Sequence, residues 1–172
     1  MENEVGDNKW LTYIQNEIES MNKLVNDLLL LAKMENVENA KNYEKFNISE
    51  EIEIMISMFE SMAYEKNVLI KSNIQKDIYF NGDKEDIKHI VSTLVDNAIK
   101  HTEPNKEVMI ELSKEKNNLI MQVKNIDKSR HRNEKRYGLG LAIAKSTVEK
   151  YKGQIEVAFK NGFTIFKVII PV

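Results

Sequence analysis

Paired runs of strand-like sequence, set among segments with helical rhythm, restrict the fold of this chain more than any single residue does. Val108 to Leu112 and Leu119 to Val123 alternate or run apolar around Lys116, Asn117 and Asn118, and Gln154 to Phe159 and Phe163 to Ile169 flank Asn161 and Gly162. Turn residues between two such runs predict antiparallel hairpins, because a period of two puts every second side chain on one face. Val68 to Ser72 and Asp77 to Phe80 are two further strand-like runs, the second closed by a turn at Asn81 and Gly82. Ser49, followed by Glu50 and Glu51, starts a helix with acidic groups at its positive end, and Ile52, Met55, Ile56, Phe59 and Ala63 give it one apolar face as far as about Glu65. Asp83 is placed to cap a second helix holding Ile87, Ile90, Val91, Leu94, Val95 and Ala98, which stops at Thr102, Glu103 and Pro104. A third helix follows Gly138 to Gly140, runs to about Tyr151 and is ended by Gly153. The pattern predicts an α+β fold: a two-layer α/β sandwich whose mixed, mostly antiparallel sheet carries helices on one face.

The N-terminal region follows a different rule. Trp10, Ile14, Ile18, Met21, Val25, Leu28 and Ala32 recur at spacings of four and three, a heptad seam, and Leu11, Leu24 and Leu31 widen it to the breadth of a bundle helix. A lone helix cannot cover such a stripe, so a second copy of the chain is its simplest partner. The polar, Asn-rich stretch from Glu35 to Lys45 is the joint, which divides the chain into residues 1–41 and 42–172.

With 25 basic and 27 acidic side chains in 172 residues, no global field favours nucleic acid, and we expect no nucleic-acid partner. The lack of cysteine excludes disulfides and thiolate metal sites, and no apolar run approaches the roughly 20 residues of a membrane-spanning helix.

Two segments are equipped for chemistry. In Gly138-Leu139-Gly140-Leu141 two glycines meet the start of a helix whose first free N–H groups can face an anion such as a phosphate chain, although a tight helix entry explains them equally well. In Asp96-Asn97-Ala98-Ile99-Lys100-His101-Thr102, Asn97 and Lys100 share a face, where an amide oxygen suits Mg²⁺ and an ammonium suits phosphate; a solvated helix end is the alternative.

In order, Gly82-Asp83 with Ile87, the run Asp96 to Thr102, Asp127-Lys128-Ser129-Arg130, Gly138 to Leu141 and Gly153-Gln154-Ile155 make residues 45 to 172 resemble the ATP-binding domain of sensor histidine kinases. The resemblance implies ATP and Mg²⁺ as cofactors. Asn97 then ligates the metal, Lys100 touches phosphate, His101 packs beside the nucleotide and Asn125 reads the adenine amino group. The backbone of Gly138, Leu139, Gly140 and Leu141 cradles the phosphates, with Arg130 and Arg132 as further phosphate contacts. The N-terminal helix resembles the second helix of the family's dimerisation and phosphotransfer domain, with the first, histidine-bearing helix absent. None of His89, His101 and His131 has the context of a phospho-acceptor. By the same resemblance the chain is a cytoplasmic portion of a parent anchored in the cell membrane, a homodimer through the N-terminal helix, with a response regulator as partner.

Two departures stand out. Thr93 occupies a position where the family usually has another asparagine, leaving it a weak candidate metal ligand. The family's glycine box and most of its ATP lid should separate Val123-Lys124-Asn125 from Ile126-Asp127-Lys128, and here these ends abut. We therefore expect lid residues to be missing between 125 and 126, whether lost naturally, deleted or left out of the sequence as written, the last being favoured. The rival to a kinase is a degenerate domain of the same fold that binds protein partners without kinase activity. Gyrase-, mismatch-repair- and chaperone-type ATPases rank lower, because they lack the attached bundle helix and the Asp127 to Arg130 run.

Overall fold

A computed structural model describes residues 43–126 and 139–172, together with residues 10–15, 17–18, 21–22, 25 and 29. The chain divides into two units, Met1–Ala40 and Lys41–Val172. In the first, every described residue is helical (α1), and Trp10, Ile14, Ile18, Met21 and Val25 are all more than half exposed. That is the state of a heptad seam whose cover lies outside its own helix. Leu24, Leu28, Leu31 and Ala32 lie outside the described residues.

The second unit runs β1 (Glu44–Asn47), α2 (Ile48–Glu65), β2 (Leu69–Ile74), β3 (Tyr79–Gly82), α3 (Lys84–His101), β4 (Glu107–Glu115), β5 (Asn118–Ile126), α4 (Leu139–Lys150), β6 (Gln154–Lys160) and β7 (Phe163–Pro171). Five strands form one sheet in the order β2-β4-β5-β7-β6, and β1 pairs with β3 in a separate two-stranded sheet. Among the described residues only β2 and β4 are parallel and all other neighbours are antiparallel, so the sheet is mixed and mostly antiparallel as expected. Both hairpins form where alternation placed them. Leu119, Met121 and Val123 of β5 and Phe166, Val168 and Ile170 of β7 point to one face, where they join Ile52 of α2, Leu94 of α3 and Val148 of α4 in a single core. On the other face stand half-buried polar residues such as Glu111, Gln122, Lys124 and Lys167, with Lys124 paired to Glu111 at 2.5 Å.

Three local features differ from the sequence reading. The cap of α2 is Asn47, two residues before Ser49, and its side chain accepts from the N–H groups of Ser49 at 3.1 Å and Glu50 at 3.4 Å. Ser49 is thereby released to clamp the β2–β3 loop, its Oγ donating to the Gln75 carbonyl at 2.7 Å and accepting from the Ile78 N–H at 3.1 Å. Asn81 and Gly82 are no turn but the end of β3, paired with Lys45 and Glu44 of β1. β1 itself falls partly in the segment read as joint, because only Phe46 of its four residues is buried and no alternation shows. β5 runs on through Asn125 and Ile126, with Thr164 and Phe163 as successive partners.

The end of α4 is tied to the start of α3. Tyr151 donates its hydroxyl to Asp86 Oδ2 at 2.5 Å and accepts from the Asp83 N–H at 3.0 Å, while Lys150 Nζ lies 2.6 Å from the same carboxylate oxygen. Burial, and then the bond to Asp86, hold the Tyr151 hydroxyl well above the ordinary tyrosine range, so it remains a proton donor. After this node, Lys152 takes the left-handed conformation, φ 57°. Gly153 serves a different need: a Cβ there would lie 2.5 Å from the Ile169 carbonyl oxygen and 2.9 Å from Val148 Cγ1. Gly153→Ala should therefore destabilise the domain by about 1–3 kcal/mol through overpacking. Urea unfolding checks this, and an unchanged midpoint would refute the close approach.

Candidate functional site

Two sets of contacts fix how the helices lie along the strands. Ile87, Ile90 and Val91 of α3 surround a small void together with Leu119 and Met121 of β5 and Val168 and Ile170 of β7. The later half of α3, about 9 Å further along when Asn97 is reached, therefore lies toward the other end of those strands, where Asn125 and Thr164 stand. α4 runs the opposite way. Its C-terminal Lys150 meets Asp86 in the first turn of α3, so its own first turn is carried roughly 15 Å back toward Asn97 and Lys100. One end of the domain thus collects the C-terminal half of α3, the N-terminus of α4, the end of β5 and the start of β7.

Asn97 is half-buried, and its Nδ2 donates to the Thr93 carbonyl at 2.8 Å. Fixing the amide by its nitrogen leaves its oxygen as the atom that can face a cation. Thr93 contributes through that carbonyl; its side chain is buried. Lys100 is exposed and paired with Asp96 at 2.9 Å, so an incoming anion competes with a carboxylate for it. His101 is exposed at the helix end. In the first turn of α4, Leu139 and Gly140 are half-buried and Leu141 is buried. Gly138, Arg130 and Arg132, with the rest of Asp127 to Arg130, lie outside the described residues.

Asn125 is deeply buried, and opposite it in the β5–β7 register stands Thr164, equally buried. Neither Asn125 Nδ2 nor Thr164 Oγ1 has a hydrogen-bond partner. Thr164 is the residue that sequence reasoning missed. Its signal was a polar residue in the row that continues as Phe166, Val168 and Ile170, visible once Asn161 and Gly162 set the register of the last hairpin. Among the described residues no three His, Cys, Asp or Glu side chains come together to hold a metal. A cation at this end would have one amide oxygen from α3 and must take its other ligands from phosphate and water, which suits Mg²⁺.

The chain is similar to known proteins over its whole length. Residues 82–172 match the family described as histidine kinase-, DNA gyrase B-, and HSP90-like ATPase. Sensor protein DltS of Streptococcus agalactiae serotype III (strain NEM316) is 27% identical over 190 positions, covering 100% of this chain and 48% of its own length. Sensor histidine kinase WalK of Bacillus subtilis (strain 168) is 29% identical over 168 positions, covering 86% of this chain and 28% of its own. The chain thus spans about half of DltS and less of WalK. The 190 positions aligned with DltS exceed the 172 residues here by 18, so that relative carries at least 18 residues this chain lacks. Among solved structures, Acinetobacter baumannii histidine kinase AdeS shares the fold with a TM-score of 0.80 at 23% identity, over 94% of this chain and 83% of its own. Histidine kinase ThkA in complex with response regulator protein TrrA gives 0.75 at 22% identity, over 95% and 50% respectively.

The orphaned hydroxyl of Thr164 has a measurable consequence. Replacing a buried polar group that lacks a partner by an apolar group of similar shape removes a desolvation cost of about 1–3 kcal/mol, so Thr164→Val should raise the stability of the ligand-free chain. Thermal unfolding measures it; a lowered midpoint would mean that the hydroxyl is bonded after all.

Proposed function

The chain belongs to the histidine kinase-, DNA gyrase B- and HSP90-like ATPase family, and we propose that it is the ATP-binding catalytic part of a sensor histidine kinase, passing the γ-phosphoryl group to a histidine outside this chain in two-component signalling. The observation that carries this reading is the reach of the DltS alignment, which takes in the bundle helix as well as the nucleotide domain. That helix is what separates kinases from the other ATPases of the fold.

In this reading the triphosphate sits on the N-terminal turn of α4, where the main-chain N–H groups around Gly138, Leu139, Gly140 and Leu141 are not used within the helix. Lys100 exchanges Asp96 for a phosphate oxygen, Arg130 and Arg132 add guanidinium contacts, and His101 packs beside the nucleotide. Asn97 offers its amide oxygen to Mg²⁺, with Thr93 behind it. Mg²⁺, when bound, neutralises charge on the transferring phosphoryl group. Asn125 takes the base. In this reading the residues that DltS carries in excess are assigned to the lid, between 125 and 126.

His89 lies on the nucleotide helix, His101 at its end and His131 in the lid remnant of the sequence, none in the context of an acceptor, so in this reading the acceptor histidine belongs to another part of the parent. The uncovered seam of α1 fits a homodimer, and the complex of ThkA with TrrA supports a response regulator as partner. Among the described residues no helix is long and apolar enough to cross a membrane; a cytoplasmic placement below a membrane anchor is part of this proposal.

Titration with a non-hydrolysable ATP analogue, with and without Mg²⁺, tests the site. Saturable, metal-dependent binding is expected, weakened about tenfold or more in Asn97→Ala, the scale of one lost contact to a charged group. That substitution removes only a local bond to the Thr93 carbonyl, so the fold should survive it. Failure of the intact chain to bind would favour the degenerate protein-binding module.

A further inference from the structure

The helices α2, α3 and α4 cover one face of the five-stranded sheet, and the side chains of the opposite face alternate along each strand with those of the core. The central row of that opposite face runs Glu111 of β4, Gln122 of β5 and Lys167 of β7, all half-buried, and the row beside it runs Met109, Lys124 and Ile165. Glu111 holds Lys124 at 2.5 Å, whereas Lys167 pairs with no carboxylate among the described residues. A half-buried ammonium gains from a carboxylate brought to it. The five strands are six to nine residues long. At about 4.8 Å between strands and about 3.3 Å per residue, they offer a face of roughly 500–700 Å². Two such faces total about 1,000–1,400 Å², the span from weak encounters to the smaller stable interfaces.

We propose that this open sheet face docks on the same face of a second copy of the chain, about a two-fold axis that runs along β5 between the two sheets. The order β2-β4-β5-β7-β6 puts β5 at the centre, so such an axis lays β4 of each copy over β7 of the other and leaves every row facing itself reversed. Glu111 of each chain then meets Lys167 of the other, twice by symmetry, while Gln122 faces its own copy across about 10 Å. In the next row Met109 faces Ile165. Lys124 there faces its own copy, each ammonium neutralised by Glu111 of the same chain, and Glu111 sits between two cations. Aligned sheets cross at about −30°, which keeps the row at the axis in register and lets the margins diverge. Opposite charges on strands equidistant from the centre suit a second copy better than a partner of single sign. The contact is separate from the seam of α1, and because it uses the face away from the helices it leaves the nucleotide end open.

The chain has no cysteine, so a single introduced thiol reports on one position. Full chain carrying Gln122→Cys, treated with a bismaleimide of about 10 Å reach, should give covalent dimers. Ser61→Cys, exposed on the outer face of α2, is the control and is equally subject to any association through α1. Equal yields at the two positions overturn the proposal. Charge exchange then tests the axis. In the Gln122→Cys background, Lys167→Glu alone and Glu111→Lys alone should each cut the yield about tenfold, since each sets like charges opposite one another twice. An equal mixture of these two variants should restore it in the mixed pair, told apart by mass, because both Glu–Lys contacts return there. Undiminished self-linking of either variant, or no preference for the mixed pair, overturns the two-fold arrangement. The comparison of Gln122→Cys with Ser61→Cys needs no charge variant, so misfolding of Glu111→Lys cannot shelter the idea. No nucleotide is present, and neither result bears on the nucleotide reading.

Discussion

Asp86 is the point on which the arrangement of this domain turns. One of its carboxylate oxygens holds both Lys150 and the Tyr151 hydroxyl, and that hydroxyl in turn receives the Asp83 N–H that opens α3. A half-buried anion with a cation and a neutral donor is well satisfied, whereas either partner alone would leave charge or a lone pair in a poor medium. The node pins the end of one helix to the beginning of another. Because both helices also press on the same sheet, fixing that end fixes the far end as well, about ten residues along each rod. The aromatic rings around it, Phe80 edge-on to Tyr151 and Tyr43 stacked on it, close the node from the outside.

Much of this fold was legible in the sequence, and the reasons are local. The rhythm of Ile87, Ile90, Val91, Leu94, Val95 and Ala98, with Asp83 before it and Pro104 after it, admits one reading, and α3 follows it closely. The hairpins were equally clear, since turn chemistry and alternation agree. β1 was not legible. It is stabilised by pairing with β3 and by one buried ring, Phe46 against Phe80, and such tertiary support leaves no periodic mark over four residues. Gly153 illustrates a subtler limit. A glycine after a helix suggests a positive φ, yet the preceding lysine takes that conformation and the glycine answers to a carbonyl on a strand.

The site divides along the same line. The places of Asn97, Lys100 and Gly140 on their helices were legible because each sits near a helix terminus, where spacing alone defines a face. The pairing of Lys100 with Asp96 was within reach by the same i, i+4 logic, while the depth at which Asn125 lies was not. A strand residue shows its burial only when its partner strand and register are known, and the partner here begins 38 residues later, at Phe163 opposite Ile126 and then Thr164 opposite Asn125. Thr164 stayed hidden for that reason.

The lone parallel pairing, β2 against β4, has a bearing on how the chain reaches this state. Leu69 and Glu107 are 38 residues apart, with β3 and α3 between them in sequence, whereas β4–β5 and β6–β7 close over short turns. Loop closure over the longer stretch is entropically dearer and yields its contacts late. The hairpins are the short-range closures, whereas β2–β4 and β5–β7 must each close over 37 or more residues; β2, with one neighbour, is held at its far end by Ser49 donating to the Gln75 carbonyl. A single neighbour leaves that margin with fewer cross-strand bonds than the middle of the sheet, so its amides should exchange sooner than those of β4, β5 and β7.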